Sequence, residues 1–565
     1  MKRSLGFSGV GAAAAAVLLI ATTGVLSAQA PGAAVSAQPG QRQPLEVPPP
    51  EADGVHLTLD QAIRIALASN EDLNVTINSA EASQFFLFQN MGIYDPLLTS
   101  NVTRSHTDTP TSTQLGGGAV VRNDTWDAGI GIQQLTPWGG TVTGGLVGSR
   151  DATNNSFATV NPALTAGLSL QISQPLLRNF GRVPTELNIE TARNTRDASY
   201  QTFVRSVQVV VNAVEQSYWD LVYARANLAV KIEARDIARE LNRITKIKID
   251  VGSLAPIDIV QTEVGIATAE QDIINAEAVV GLAEDSLRRN LNFQAATPTT
   301  TTIVATDKLN VERKPFDLAA GVTTALQHRP EIAVQNSTVA SNELRYEFWQ
   351  NQTLPQLDLV AGYGKNGLGG TFLDINQTPP VVVEKTNWWD AADQLFSENF
   401  KNWRVGLVFS YPILNRAARG ARGVAKFNLE TSKSQLTVLE QDIVLDVRNA
   451  HRAIETANLQ IDAAAKGQEL AERNLDAARK KYDNGMTTSF EVSQIQSQLS
   501  DAQSKYLNAL ALYRKAISAY HNSIADILDW KGITIDGIPP RDVTKPLPPI
   551  EARVVPASSG LVAAP

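Results

Sequence analysis

The 565 residues contain no cysteine, only three methionines and only five histidines. Without a thiol there is no disulfide framework, no thiolate metal site and no sulfur for an N-terminal lipid. The histidines, at 56, 106, 328, 451 and 521, are too scattered to supply ligand spacing for a metal. Charge is also sparse: 19% of residues carry one, and the balance is mildly acidic at −8. No Lys/Arg block follows the first few residues, which argues against nucleic acid as a partner. A phosphate-binding Gly-Lys loop is missing, and the Gly-rich run GGGAVV at 116–121 precedes no helix, so neither nucleotide hydrolysis nor a dinucleotide site is expected. No nucleophile–base constellation stands out, and carboxylates on helical flanks are ordinarily just solvated. These absences point away from an enzyme and from a cofactor. Long apolar runs are nearly absent as well. One, from Val10 to Val25, follows Lys2 and Arg3 and reads as a signal peptide over residues 1–30, with Ala28, Ala30 and Ala37 as alternative cleavage positions. No later stretch approaches the ~18 uncharged apolar residues of a transmembrane helix.

What the chain does have is itself, twice. Residues 57–98 run LTLDQAIRIAL … YDPLL and residues 316–357 run FDLAAGVTTAL … TLPQL. One constant offset pairs Leu59 with Leu318, Ala66 with Ala325, Val75 with Val334, Pro96 with Pro355 and Leu98 with Leu357. Further on, SQPLL at 173–177 answers SYPIL at 410–414, and KIDVG at 248–252 answers KYDNG at 481–485. Landmarks repeated in the same order mean an internal duplication. The expected layout is a linker over 31–56, a first repeat over 57–298, an inter-repeat linker over 299–315, a second repeat over 316–530 and a Pro-rich tail over 531–565.

Each repeat reads as helix, strand region, long helix, Gly turn, helix. Thr58 with Gln61 opens a capping box and predicts one helix to about Met91. Pro96 begins a Gly/Thr/Ser-rich strand region through 174. There Ala128, Ile130 and Ile132 share a face with Trp126, and Ala166, Leu168, Leu170 and Ile172 share another. Alternation of this kind suits a half-buried strand or a lipid-facing barrel strand. A helix is then predicted over 184–250, with Val207, Val211, Val214, Tyr218 and Leu221 in 4-3-4-3 spacing. Gly252 and Pro256 break it before a helix to Phe293. In the second copy a helix covers 316–350, strands lie near 357–363 and 403–411, and a long helix spans 415–483. A break at Gly485 leads to a last helix reaching Leu528. Ile443, Val447, Ala450, Ile454, Ala457, Ile461 and Ala464 keep a strict heptad, the seam of a coiled coil.

These lengths imply that the short helices stack end to end along the long ones, giving a helical barrel with strands at one pole and the Gly turns at the other. Two to four strands in the first half and two in the second are too few to close a wide barrel in one chain, and open edges are not tolerated in lipid. Several copies are therefore expected to share one barrel. Trp126, Trp138, Trp403 and Tyr411, near predicted strand ends, suit an aromatic girdle.

The runs LTLDQAIRIALASNEDL, ALQHRPEI, SQPLLRNFGR, VEQSYWDLVYAR and VGSLAPIDIVQ together resemble the TolC-like outer-membrane efflux protein family, over about residues 57–530. The resemblance implies a mostly α fold with a β-barrel part: duplicated antiparallel coiled-coil helices forming a trimeric α-helical barrel, capped by a transmembrane β-barrel shared between subunits. It implies a homotrimer in the outer membrane, in contact with its lipid and extending into the periplasm. It also implies a passive exit duct for efflux or type I secretion, working with a periplasmic adaptor and an inner-membrane pump. The alternative is a non-conducting coiled-coil surface or periplasmic protein, which would have no reason to reverse its chain twice at matching points. Two departures stand out. Asn70-Glu71 replaces the family's Asn-Pro, and an extra hairpin-like segment turns at 137–140, either adding strands to the barrel or lying outside it.

The Gly turns carry the candidate site. The resemblance implies an acidic pore residue at Glu491, with Asp258 equivalent to it in the first repeat, and a tip tyrosine at Tyr482 that hydrogen-bonds across the closed end. Gln494 stands where a second acidic position is usual, and Thr487 where an arginine would complete a lock. The tips Gly252, Ser253, Leu254, Gly485 and Thr487 are the expected adaptor contacts. The cargo, whether drug, metal or protein, is not written in these residues.

Overall fold

A computed structural model describes residues 55–111, 119–293, 302–377, 379–397, 400–535 and 554–556. The expected signal peptide, nearly all of the 31–56 linker and most of the tail lie outside the described residues. In chain order the first half runs β1 (Val55–Leu57), α1 (Leu59–Ser69), α2 (Glu71–Met91), β2 (Leu97–Pro110), β3 (Val120–Leu135), β4 (Thr141–Thr153), β5 (Val160–Pro175), α3 (Arg182–Asp250), α4 (Ile257–Leu291) and β6 (Ile303–Ala305). The second half runs α5 (Leu318–His328), α6 (Pro330–Gln352), β7 (Gln356–Asp374), β8 (Val381–Lys385), α7 (Trp388–Asp393), β9 (Lys401–Ser410), α8 (Arg416–Asp483), α9 (Ser489–Ser523), α10 (Ile527–Trp530), β10 (Ile533–Ile535) and β11 (Val554–Pro556). Matched helices have matched lengths: α1 and α5 are 11 residues each, α4 and α9 are 35 each, and α3 and α8 are 69 and 68. At 1.5 Å per residue the two long helices reach about 100 Å.

Two compact units emerge, and each draws on both repeats. The first contains residues 90–188 and 345–424; the second contains the described parts of 44–89, 189–344 and 425–565.

The first unit holds a mixed-origin antiparallel sheet in the order β2-β3-β4-β5-β7, with both β8 and β9 paired to β7. The hairpin β3-β4 is thus an integral part of the sheet, with β2 on one side and β5 on the other. The chain contributes six long strands, and the extra hairpin turning at 137–140 accounts for two of them. Registers align the alternation read from the sequence: Leu98 pairs with Ile132, Ile132 with Gly144, Gly144 with Leu170, Leu170 with Tyr363, and Tyr363 with Trp403. One face is therefore apolar across the sheet. The other carries Asn101, Gln133, Thr143, Ser169, Gln171 and Arg404. Trp138 and Tyr411 do lie just past strand ends, but Trp126 sits well inside β3, because that strand begins six residues earlier, at Val120.

In the second unit the heptad seam of α8 is buried as read: Ile443, Val447, Ile454, Ala457 and Ile461 pack with Tyr513, Ile517 and Tyr520 of α9. The corresponding stripe of α3, Val207, Val211, Val214, Tyr218 and Leu221, packs on Ala62, Ile63 and Ala66 of α1 and on Leu287 and Leu291 of α4. Truncating such a fully buried Leu to Ala costs about 2–5 kcal/mol.

The single helices predicted over 58–91 and 316–350 are each broken in two. Asn70 adopts an extended backbone and its Oδ1 accepts from the amides of Asp72 and Leu73 at 2.9 and 3.2 Å, capping α2. In the second copy Pro330 opens α6 and holds Arg329 extended at ψ 123. One repeat stops its helix with a cap, the other with a ring. The first break also receives the end of α4: Ser69 Oγ donates to the Leu291 carbonyl, Asn70 Nδ2 to the Asn290 carbonyl, and Asn292 Nδ2 to the Ser69 carbonyl. That is the end-to-end stacking that the helix lengths required.

Tyr218 secures the chain entering α1. Its hydroxyl, fully buried, bonds to the Leu57 carbonyl at 3.0 Å and to Asp307 Oδ2 at 2.7 Å, and the same Oδ2 accepts from the Leu59 amide at 2.8 Å. Burial, and then the Asp307 carboxylate, push this phenol well above its ordinary 10.0. Tyr218→Phe should therefore destabilise the detergent-extracted protein by about 1–3 kcal/mol, read from its thermal midpoint. The folded pKa is raised, so this contribution is whole below pH 10 and is lost as pH climbs toward the folded value. The gap between wild type and variant should narrow in alkali; a gap that widens there would rule out the buried neutral phenol.

Candidate functional site at the interhelical turns

Both turns in the second unit are built alike. After α3, Gly252 takes φ +75, its amide donates to the Ile249 carbonyl at 2.8 Å, and the Ser253 amide donates to the Lys248 carbonyl at 2.8 Å. After α8, Gly485 takes φ +70, its amide donates to the Tyr482 carbonyl at 3.1 Å, and the Met486 amide donates to the Lys481 carbonyl at 2.9 Å. This is the Schellman pair of bonds in both copies, and the left-handed backbone explains the glycine at each.

Tyr482 is buried, 3% exposed, in a cluster with Leu241, Leu475, Ala478, Val492 and Leu499. Its hydroxyl lies 2.6 Å from Thr245 Oγ1 of α3. Thr245 gives its own proton to the Leu241 carbonyl at 2.9 Å, so Tyr482 donates to Thr245. Lys248 Nζ donates to the Tyr482 carbonyl at 2.7 Å, rides 4.1 Å over its ring and lies 3.8 Å from Asp483. Tyr482 therefore ties the two long helices to each other within one chain. Burial pushes its phenol up, and the Asp258 and Asp483 charges add to the rise.

Glu491 stands in the first turn of α9, exposed. Its amide donates to Thr488 Oγ1 at 3.3 Å, and its Oε2 accepts from Thr487 Oγ1 at 2.5 Å. A carboxylate here is favoured by the helix dipole. Asp258 holds the equivalent first-turn position of α4 and is half-buried; Gln494 is exposed on α9. Of the tip residues, Gly252, Ser253 and Gly485 are exposed, while Thr487 is half-buried and Leu254 packs against the Tyr482 cluster. Tyr482 and Glu491 are not brought into contact with each other.

Two features escaped the sequence reading. The first is the apolar surface of the turns: Val251, Ile257, Met486 and Phe490 are exposed at 70%, 64%, 72% and 60%. Ile257 and Phe490 are equivalent between repeats, a match that the offset could have shown. The second is an open groove of about 570 Å³ whose rim carries Glu233, Asp236, Glu240, Arg479 and Asp483 over a floor of Ile237, Leu241 and Val492. Acidic residues at 233, 236 and 240 on one helical face were the available signal. Among the described residues no group of three or more His, Asp or Glu could hold a metal ion, and no helix is long and apolar enough to cross a membrane.

The outer membrane efflux protein family matches residues 126–292 and 321–519, covering both repeats. The chain belongs to this family. A nodulation protein T of Rhizobium leguminosarum bv. trifolii is 20% identical over 340 residues, 58% of this chain and 65% of its own length; the match thus falls just short of two thirds of that relative. Among solved structures, the CmeC outer membrane channel of Campylobacter jejuni superposes with TM-score 0.56 at 16% identity, over 83% of this chain and 86% of that one. The outer-membrane channel OprN gives 0.60 at 13%, over 83% and 90%. The outer membrane protein VceC of Vibrio cholerae gives 0.57 at 14%, over 83% and 96%. The shared fold is that of outer-membrane channels. Membership of this family places the chain in the outer membrane, extending into the periplasm.

Because Tyr482 bonds within the chain and Glu491 faces water, the two should separate cleanly by mutation. Tyr482→Phe should lower stability by about 1–2 kcal/mol, while Glu491→Gln should shift it by less than about 0.5 kcal/mol, both read as changes in thermal midpoint. Equal effects would contradict these placements.

Proposed function

We propose that this efflux protein works as a homotrimeric exit duct of a tripartite efflux or type I secretion system, joined by a periplasmic adaptor to an inner-membrane pump. The observation that carries the reading is the sheet of six long strands and the short β8, apolar on one face and polar on the other, whose edge strands β2, β8 and β9 have no further strand partner within the described chain. Lipid does not tolerate such edges, so copies of the chain must close them. Three copies of six long strands make an eighteen-stranded barrel, wider than one built from four strands per subunit, since diameter grows with strand number.

At the turns, Glu491, supported by Asp258, Gln494 and Tyr482, would govern the entrance: symmetry copies of an exposed first-turn carboxylate form a ring that concentrates cations. With Gln494 neutral and no arginine at 487, that ring is less selective than a doubled acidic one. The adaptor would dock on Gly252, Ser253, Gly485 and Thr487 and, above all, on the exposed Val251, Ile257, Met486 and Phe490, whose apolar surface at a chain reversal has no role within the fold.

In planar bilayers the purified protein should conduct, and its detergent-corrected mass should be three times that of the chain. Glu491→Gln and Glu491→Lys should reduce cation preference stepwise at low salt, where screening is weak. If both behave as wild type, Glu491 does not line the entrance; a monomer, or no conductance, would defeat the duct itself. Met486→Ser with Phe490→Ser should keep trimer and conductance but lose transport in cells; unchanged transport would place the adaptor elsewhere.

A further inference from the structure

The segment between β8 and β9 departs from an ordinary external loop. It folds back onto the apolar face of the sheet. Asn387 caps α7 through Trp389 and Asp390, and Ala391 and Leu395 are buried against Ala166 with Leu146 and Trp388 alongside. The seat is made of small residues that the register places side by side: Gly148 pairs with Ala166, and Ala166 with Gly367. A Cβ on Gly367 would lie 1.8 Å from the Ala391 carbonyl oxygen, and one on Gly148 would lie 2.6 Å from Trp388 Nε1.

The same segment completes the edge of β7. Strand β9 ends opposite Lys365, and β8 begins only opposite Thr371. Across that gap the Asn366 amide donates to the Phe400 carbonyl at 3.1 Å. The amide and carbonyl of Leu368 bond to the Gln394 side chain at 3.1 and 2.9 Å. The Gly370 amide donates to Thr386 Oγ1 at 2.9 Å, and its carbonyl accepts from the Thr386 amide at 2.8 Å. Lys365, which shares the apolar face with Leu168, donates to the Ser397 carbonyl at 3.0 Å. Every group so treated is one that hydrocarbon would leave unsatisfied.

Position along the strand sets the depth. Gly367 lies ten residues past Leu357, the lowest apolar position of β7 on this face. That is roughly 33 Å along the strand, or about 25 Å of height at a tilt of about 40°, the full height of a barrel's apolar band. Two residues above this row the same face turns charged, with Arg104 and Arg150 flanking Trp126. At this level the segment turns its own aromatics outward: Trp389 is 59% exposed and Phe396 84%.

We infer that residues 386–397 form a membrane-interface anchor that lies on the lipid side of the barrel and inserts Trp389 and Phe396 into the outer leaflet at its headgroup boundary. The inference rests on unit one being the membrane barrel, which places its apolar face in lipid. It assigns the segment to outer-leaflet lipid, not to the aqueous exterior or the channel lumen. Aromatic rings prefer that boundary.

The chain's lack of cysteine makes the test direct. Full-length protein carrying a nitroxide on Phe396→Cys, Trp389→Cys, Leu407→Cys or Asn402→Cys is reconstituted in phosphatidylethanolamine–phosphatidylglycerol vesicles. Collision of each label with oxygen and with an aqueous nickel chelate is then compared. The labels at 396 and 389 should favour oxygen several-fold over the lumen-facing label at 402, and read shallower than the label at 407. Either site suffices if the other variant misfolds. Label 407 in lipid with 396 and 389 open to nickel would overturn the anchor while leaving the barrel intact. All four open to nickel would overturn the anchor and the membrane reading together.

Discussion

Among the described residues, six long strands joined by backbone hydrogen bonds end in two open flanks, one on β2 and the other on β9 with the short β8. In a membrane those flanks are the constraint to which the rest of unit one answers. Water can satisfy an exposed amide; hydrocarbon cannot. The demand reaches inside the sheet as well. Where β9 stops short against β7, the Gln394 side chain, the Thr386 hydroxyl and amide and the Phe400 carbonyl stand in for the missing strand. On the proposed barrel the alternation of apolar and polar faces follows from the same setting, since only one face would meet lipid.

The second unit is governed by a different necessity, the covering of long helices by shorter ones. With α3 nearly twice the length of α4, a second short helix must meet α4 end to end. The junction works because three asparagine and serine side chains collect the carbonyls and amides left over where helices stop. Asn70 serves both sides at once, capping α2 through its oxygen and binding the end of α4 through its nitrogen. This explains how Glu71 can stand where a proline would otherwise enforce the break.

Gene duplication supplied two nearly identical hairpins, and the differences between them carry the individuality of the site. Both turns use the same Schellman geometry, but only the second copy places a tyrosine where it can reach the other long helix. Lys248, its counterpart's neighbour, closes the contact from above the ring. The acidic positions of the two copies also diverge: Asp258 is half-buried beside Tyr482, while Glu491 is exposed and accepts a hydrogen bond from the Thr487 hydroxyl. One carboxylate is part of the packing and the other is part of the surface.

The sequence by itself determined the duplication, the long helices, their Gly reversals and the faces of the strands. These depend on periodicity and on φ-permissive residues, which act over a few neighbours. The heptad of α8 and the alternation around Ile130 and Leu168 needed nothing else. The helix breaks were written there too, in Asn70 and in Arg329-Pro330, but continuous apolar periodicity masked them. Tertiary structure alone decided the membership of the β3-β4 hairpin, because a strand's neighbours are chosen by register with distant segments. It alone joined Thr245 to Tyr482, 237 residues apart. It alone laid Trp388 and Ala391 on Gly148 and Gly367, since a glycine's bareness has no meaning until something packs against it.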